Sequence, residues 1–358
     1  MKIVTKTNEN GYTSYNLKKN DGTLLYNEYQ SFIEKIGNFF IVSNGYCYLI
    51  MDDNCKDAFN GGDILTQWRQ AFAFANKYIV VSYNDFSMDW EKTPKLMNIL
   101  RLDGTKVLSE NVENIDCTND RKYLIISDST KENLFRDSVN ILNKDLDKVL
   151  KFNATCIYYI DEEKDLFNVQ TESGWQVYNN QGVLVFPKNK NEFLNCPISY
   201  IKENDTFLVT FMGHKHYIYD NNFQLLLNGI SFENIFCNFS EGFYTVKING
   251  KWNFVDMDGN FLIKDETLNI VHAHSFHNGY AMIYIVDEND KYYANLIDRK
   301  GNFIVKSKEF TDFRTFKGCT ESEFFIGCKR LENGGFTKCV YYKGSEELYS
   351  NDISFLYK

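Results

Sequence analysis

Five histidines fall in two clusters, His214 with His216, and His272 with His274 and His277. Residues two apart on an extended strand share a face, so His272 and His274 are placed to present two imidazole nitrogens together. A zinc site wants three or four such ligands in a closed geometry. The simpler expectation is five histidines on strands and turns that satisfy hydrogen bonds or face water. Nine cysteines lie at 47, 55, 117, 156, 196, 237, 319, 328 and 339. The odd count and the lack of any CxxC argue against a disulfide framework or a zinc ribbon, and for reduced, mostly buried thiols. Cys117, Cys156, Cys196, Cys237 and Cys319 step by 39, 40, 41 and 82 residues. A nucleophilic cysteine needs a paired histidine, and none pairs recognisably, so packing inherited from a repeat explains the spacing better than catalysis.

Asp52, Asp53, Asn54 and Asp57 suggest an oxygen-rich loop. Cys55 and Lys56 break the EF-hand alternation and no glycine sits at its sixth place, which leaves a turn braced by its own side chains. The sequence holds no G-x-S-x-G, P-loop, G-x-G-x-x-G or H-E-x-x-H motif. Carboxylate pairs such as Glu162 and Glu163 fall in expected turns, whereas a glycosidase needs two carboxylates facing across a cleft. The expectation is therefore a chain with no catalytic residue, no cofactor and no resident metal.

The elements that carry these residues repeat. The clearest unit is Phe239 to Ile263, FSEGFYTVKINGKWNFVDMDGNFLI. Three strand-like runs (Phe243 to Lys247, Trp252 to Asp256 and Asn260 to Ile263) are separated by Asn-Gly and Asp-Gly. Both dipeptides are strong hairpin signals, because a type I′ turn needs positive φ at its two central residues. The second hairpin recurs with its turn at Gly22, Asn54, Gly104, Leu146, Gly182, Phe223, Gly259, Gly301 and Gly344, a mean step of about 40 residues. A strand signal precedes each hairpin and another precedes that, as in FENIFCNF at 232–239 and VENIDCTN at 112–119. The best helical candidate, Asp63 to Asn76, contains QAFAFAN, whose alternation fits a strand as well.

Four short strands per period of about 40–45 residues is the pattern of a β-propeller blade. The expected fold is all-β, a β-propeller-like array of about nine four-stranded repeats, with an open β-solenoid as the alternative. The phase of the repeat treats 1–358 as a single domain. In it Ile353 to Tyr357 supplies the innermost strand of the blade begun by Lys2 to Tyr26 and closes the ring.

Gly250, Lys251, Trp252, Phe254, Val255, Asp256 and Gly259, with the lead-in Phe239-Ser240-Glu241-Gly242, resemble the bacterial WG (KWG-type) repeat, whose core reads G-K-W-G-F-I-D-x-x-G. Gly174, Trp175 and Gly182 give a partial second match, and Asp298 with Gly301 a third. Asn253 stands where the repeat has its second glycine. The resemblance implies an array of short β hairpins and a loose association with binding. It implies no shared catalytic residues.

The chain's 358 residues carry 39 Lys and Arg against 48 Asp and Glu, a net charge of −9. That balance argues against phosphate-backbone binding; basic residues cluster only briefly, as at Lys306 and Lys308. The apolar run Tyr78 to Tyr83 is far shorter than the roughly 20 residues of a membrane helix, and no secretory signal is visible. Asn, Lys, Ile, Tyr and Phe are abundant while Pro and Ala are scarce, a bias that fits an AT-rich genome such as that of a bacterium or its phage. The expected function is a non-catalytic scaffold that binds another protein, cytoplasmic or virion-associated, with neither nucleic acid nor membrane as partner. The alternative is an enzyme or small-ligand binder using a central channel lined by Glu113, Asp116, Glu233, His272, His274, Asp312 and Arg314.

Overall fold

The computed structural model describes residues 1–43, 45, 48–54, 56, 58, 68–83, 96–129, 137–161, 163–189, 191–211, 214–305, 310–315, 324–330, 336–343 and 346–349. Residue contacts gather into two compact units, Met1–Val185 and Phe186–Lys358, where the sequence reading treats 1–358 as one domain. The strand expected at 353–357 lies outside the described residues.

Both units are built from small antiparallel sheets of sequence-consecutive strands. In the first unit β1 (Lys2–Thr7) pairs with β2 (Thr13–Lys18). Then come β3 (Phe32–Ile36), β4 (Phe39–Ser43) and β5 (Tyr48–Asp52), followed by β6 (Gln70–Phe74), β7 (Tyr78–Tyr83) and β8 (Leu96–Arg101). The next sheet holds β9 (Asn114–Cys117), β10 (Leu124–Ser129) and β11 (Asp137–Leu142). After it come β12 (Cys156–Asp161), β13 (Leu166–Thr171), β14 (Gly174–Asn179) and β15 (Leu184–Phe186). The second unit continues with β16 (Ser199–Ile201), β17 (Thr206–Phe211) and β18 (Lys215–Asp220), then β19 (Asn234–Ser240), β20 (Phe243–Ile248) and β21 (Lys251–Val255). Its last two sheets are β22 (Ile270–Ala273), β23 (Tyr280–Val286) and β24 (Tyr292–Asp298), and β25 (Phe310–Thr315), β26 (Phe324–Arg330), β27 (Phe336–Lys343) and β28 (Glu346–Tyr349). Among the described residues there is no α-helix; Lys202–Asn204 and Leu227–Gly229 are single 3₁₀ turns. The strand reading of QAFAF is the one the backbone adopts, as β6; residues 63–67 of that candidate lie outside the described residues.

Within each unit the cores lie between consecutive sheets. Ile36, Ile41 and Ile50 meet Ala71, Ala73 and Ile79, while Phe254 and Trp252 meet Ile270, Ala273 and Ile283. Burying one such aliphatic or aromatic side chain is worth about 1.5–3 kcal/mol, so within each unit a sheet is held by its neighbour rather than by its own short ladder.

The expectation of four strands per sheet needs correction. Among the described residues, only the β12–β15 and β25–β28 sheets have four. In six others the outermost segment makes a single bridge, as at Lys18–Leu24, Leu100–Lys106, Leu142–Lys148, Tyr219–Leu225, Val255–Phe261 and Ile297–Phe303. The run Asn260 to Ile263 is accordingly not a strand. Its reason is a side-chain contact described below.

Candidate functional site

The motif-bearing unit shows how the sequence builds the candidate site. Asn249 and Gly250 have φ of 49° and 77°, the two positive values a type I′ turn requires, and this closes β20 onto β21. The Gly250 N–H donates to both carboxylate oxygens of Glu233, at 3.2 and 3.1 Å. Asp258-Gly259 is different from the type I′ expectation. Only Gly259 is left-handed, at 84°, and the hydrogen bonds Gly259 N–H to Asp256 carbonyl and Asp256 N–H to Asn260 carbonyl enclose three residues.

Asp256 braces that turn. Its Oδ1 accepts the N–H groups of Asp258 at 3.0 Å and Asn260 at 2.8 Å, and its Oδ2 accepts the Asn260 amide at 3.1 Å. Burial pushes the Asp256 carboxyl up, but these hydrogen bonds together outweigh it and hold its pKa below the ordinary value. The same turn recurs with Asp52, Asn143, Asn179, Asp220 and Asp298, each accepting from residues two and four further on. Asp52 is thus a turn brace, as the local reading expects; Asp57 lies outside the described residues. Leu146 and Phe223, placed at the turn by spacing alone, have φ of 67° and 58° and sit beside Gly22, Gly104, Gly182 and Gly301 in this respect.

A second device escaped the sequence reading. Asn253 donates from Nδ2 to the Ile263 carbonyl at 2.8 Å, and its Oδ1 accepts the Ile263 N–H at 3.1 Å and the Phe254 N–H at 2.8 Å. Asn16 holds Tyr26, Asn98 holds Leu108 and Asn295 holds Val305 in the same way. Asn140 binds the Leu150 carbonyl. Each partner is ten residues on. An amide side chain carries both donor and acceptor groups, so it imitates one rung of a ladder, and a regular outer strand is not needed. The signal was available: an asparagine stands six residues before the turn position at Gly22, Gly104, Leu146, Gly259 and Gly301.

Trp252 is buried, in the layer between the β19–β21 and β22–β24 sheets. Its ring stacks on Phe236 with centroids 5.1 Å apart and stands edge-on to His272 at 5.6 Å. Trp175 repeats the arrangement, stacked on Tyr158 at 5.6 Å. Phe254 is fully buried against Phe276. Gly174 and Gly182 both have positive φ, and Gly182 lies so close to the Val149 carbonyl that a Cβ would collide with it. Beside this unit opens a cleft of about 710 Å³, lined among others by Lys251, Trp252, Asn253, Lys264, Glu266 and Leu268. Lys251 Nζ donates to the Glu266 carbonyl across it.

Of the residues read as lining a channel, three converge. The His272 and His274 rings lie 4.9 Å apart. His274 also faces Tyr284, whose hydroxyl donates to Asp312 Oδ1 at 2.7 Å. Burial and the neighbouring His272 lower the His274 pKa, while Asp312 raises it less. The others are dispersed in local roles: Glu233 on the Gly250 turn, and Asp116 accepting from the Asn114 amide. The Arg314 side chain lies outside the described set. His216 Nδ1 shares a 2.9 Å hydrogen bond with Thr210 Oγ1. Among the described residues no group of three His, Cys, Asp or Glu is placed to hold a metal ion. Cys117, Cys156 and Cys196 are free thiols, and burial pushes the Cys117 thiol up to about 11. Among the described residues no helix is long and apolar enough to cross a membrane.

No family model matches the sequence, and no curated protein matches it. The chain is similar to a crystal structure of a eukaryotic initiation factor, with 13% identity and a TM-score of 0.37 over 88% of this chain and 87% of that one. It is similar to acylaminoacyl peptidase of Pyrococcus horikoshii, with 13% identity and a TM-score of 0.31; 78% of this chain covers 52% of that chain. The β-propeller domain of the Trilobed protease from Pyrococcus furiosus matches at 13% identity and a TM-score of 0.27, over 77% and 95% of the two chains. Likenesses this distant carry no statement about activity.

Proposed function

We propose that the chain is a β-propeller-like array of about nine WG-like repeats that serves as a non-catalytic scaffold for binding another protein. The observation that carries this reading is the recurrence of one braced turn and one amide clamp from Asn16 to Val305. Rigid frames with locally fixed turns present their loops in defined positions, and such loops usually carry recognition. The segment Gly250 to Gly259 supports the WG-like reading through its spacing, and Trp252 supports it by packing between two sheets. A cytoplasmic or virion-associated location belongs to the same proposal.

The test is chemical crosslinking of the full chain in lysate of the cells that express it, followed by affinity capture and mass spectrometry. A stoichiometric protein partner is the expected result. Capture of no partner, together with turnover of a small molecule by the purified chain, would overturn the reading. A small-ligand site is the second reading, favoured by the convergence of His272, His274 and Asp312 around Tyr284. A thermal shift with a metabolite panel that is abolished by His274→Ala would support that reading instead.

A further inference from the structure

In five units one residue of the strand that leads into the turn is bridged to the chain as it enters the next sheet. The pairs are Tyr15–Gln30, Tyr48–Trp68, Met97–Val112, Val139–Ala154 and His216–Phe232. Each exchanges two main-chain hydrogen bonds, at 2.6 to 3.1 Å. Trp252 occupies the same place, immediately before its clamp Asn253, as Tyr15, Met97 and Val139 precede Asn16, Asn98 and Asn140. Its N–H and C=O point away from β20. Ile248 and Lys251 close a two-residue hairpin, so Lys247 and Trp252 form the next, non-hydrogen-bonded pair. The Phe254 carbonyl, two residues on along the same edge, takes the Leu262 N–H at 2.9 Å.

No described residue bonds the Trp252 N–H or C=O. The counterpart segment is held off. Asp265 Oδ1 accepts the Thr267 N–H at 2.9 Å and its hydroxyl at 2.6 Å, and the Leu268 N–H reaches the Asp265 carbonyl at 3.3 Å. The cleft of about 710 Å³ opens at this edge. An unpaired main-chain N–H and C=O at a sheet edge is a template for an added strand.

We propose that the Trp252 edge of the cleft binds an extended segment of a partner protein, paired antiparallel through the Trp252 N–H and C=O. The inference rests on the scaffold reading and names its site. The occupant follows from the five units in which the chain supplies it itself: an extended segment with Gln30, Trp68, Val112, Ala154 or Phe232 at the bridging position, apolar in four of five. In three of them the next residue is charged, at Arg69, Glu113 and Glu233. Lys264, Asp265 and Glu266 give the cleft walls of both signs. The partner segment is therefore one apolar residue flanked by charged or polar ones, in a strand without proline at the bridging position, because proline has no N–H to donate.

The experiment pans a phage-displayed dodecapeptide library over the full chain and follows the selected peptides by amide hydrogen exchange. The variant Glu266→Trp places a ring in the cleft mouth at an exposed position while keeping the main-chain carbonyl that Lys251 uses. The expected result is a peptide that slows exchange of the Trp252 amide and loses at least about tenfold in affinity both for Glu266→Trp and when its bridging residue is N-methylated. The melting temperature of Glu266→Trp stays unchanged. Peptides that bind Glu266→Trp equally and leave Trp252 exchange untouched, or a library that yields no binder, would overturn the proposal. Protection of Trp252 by self-association would assign the edge to a second copy and also overturn it. A crosslinked partner that still binds Glu266→Trp would leave the scaffold reading standing and remove only this site.

Discussion

Asn253 grips Ile263 with both atoms of its amide, donating to the Ile263 carbonyl at 2.8 Å and accepting the Ile263 N–H at 3.1 Å. Asn295 does the same to Val305, at 2.9 and 3.1 Å, from a buried position. Replacing Asn295 by alanine takes the side-chain partner from the Val305 N–H and C=O and from the Leu296 N–H, each a loss of about 1–3 kcal/mol where water cannot reach. Asn295→Ala should therefore cost about 2–4 kcal/mol in urea denaturation. A loss under about 0.5 kcal/mol would mean the clamp is incidental.

Two glycines separate backbone strain from collision. Gly250 and Gly182 have φ of 77° and 69°. A Cβ on Gly250 meets open space, whereas one on Gly182 runs into the Val149 carbonyl. Gly250→Ala should cost about 1–2 kcal/mol, the left-handed penalty alone. Gly182→Ala should cost clearly more, because backbone has to move. Equal melting temperatures for the two variants would contradict the close approach of Gly182 to Val149.

Trp252→Ala should cost about 3–5 kcal/mol, as expected of a large ring removed from between two sheets. A calorimetric loss under about 1 kcal/mol would make Trp252 a surface residue and contradict its stacking on Phe236.

The braced turns predict a loss of stability in acid. Asp256 titrates below its ordinary value because hydrogen bonds from Asn260 and Asp258 outweigh the upward push of burial; Asp298 does so through Asn302 and Lys300 against the same push. A carboxylate whose folded pKa is depressed adds stability that is complete above its unfolded pKa of about 3.9 and is lost as pH falls through the folded value. Urea midpoints should hold steady down to about pH 4 and then drop. Asp256→Asn, the residue type that Asn143 and Asn179 already use at this place, should soften the drop. A variant that falls as steeply as the parent would contradict the assignment.

Spacing made the turns legible even where glycine is missing, since Leu146 and Phe223 both adopt the left-handed conformation. Their side chains offset the strain by packing: Phe223 stacks on Phe207 with centroids 4.8 Å apart. The outer segment was misread because apolar alternation cannot distinguish a ladder from a side-chain clamp. Asn253 stands where the WG repeat has a glycine, and only its three hydrogen bonds, two to Ile263 and one to Phe254, show what it does there. The open Trp252 edge was not legible either. It depends on whether a connection some fifteen residues on pairs back, as at Val112, or turns away, as at Asp265, and both sequences are polar and turn-like. The His272, His274 and Asp312 grouping was half visible: the period-two spacing placed the histidines, while Tyr284 joins them only through a neighbouring strand.

The central claim is that one clamp-and-turn device builds successive repeats, and site-resolved amide hydrogen exchange on the intact chain tests it most directly. The N–H groups of Tyr26, Leu108, Ile263 and Val305 are bound by asparagine side chains in segments with almost no ladder of their own. They should exchange slowly, with protection of the same order as ladder amides such as those of Val255 and Ile297, and Asn295→Ala should release Val305 alone among the four. Rapid, loop-like exchange at these four amides would contradict the account.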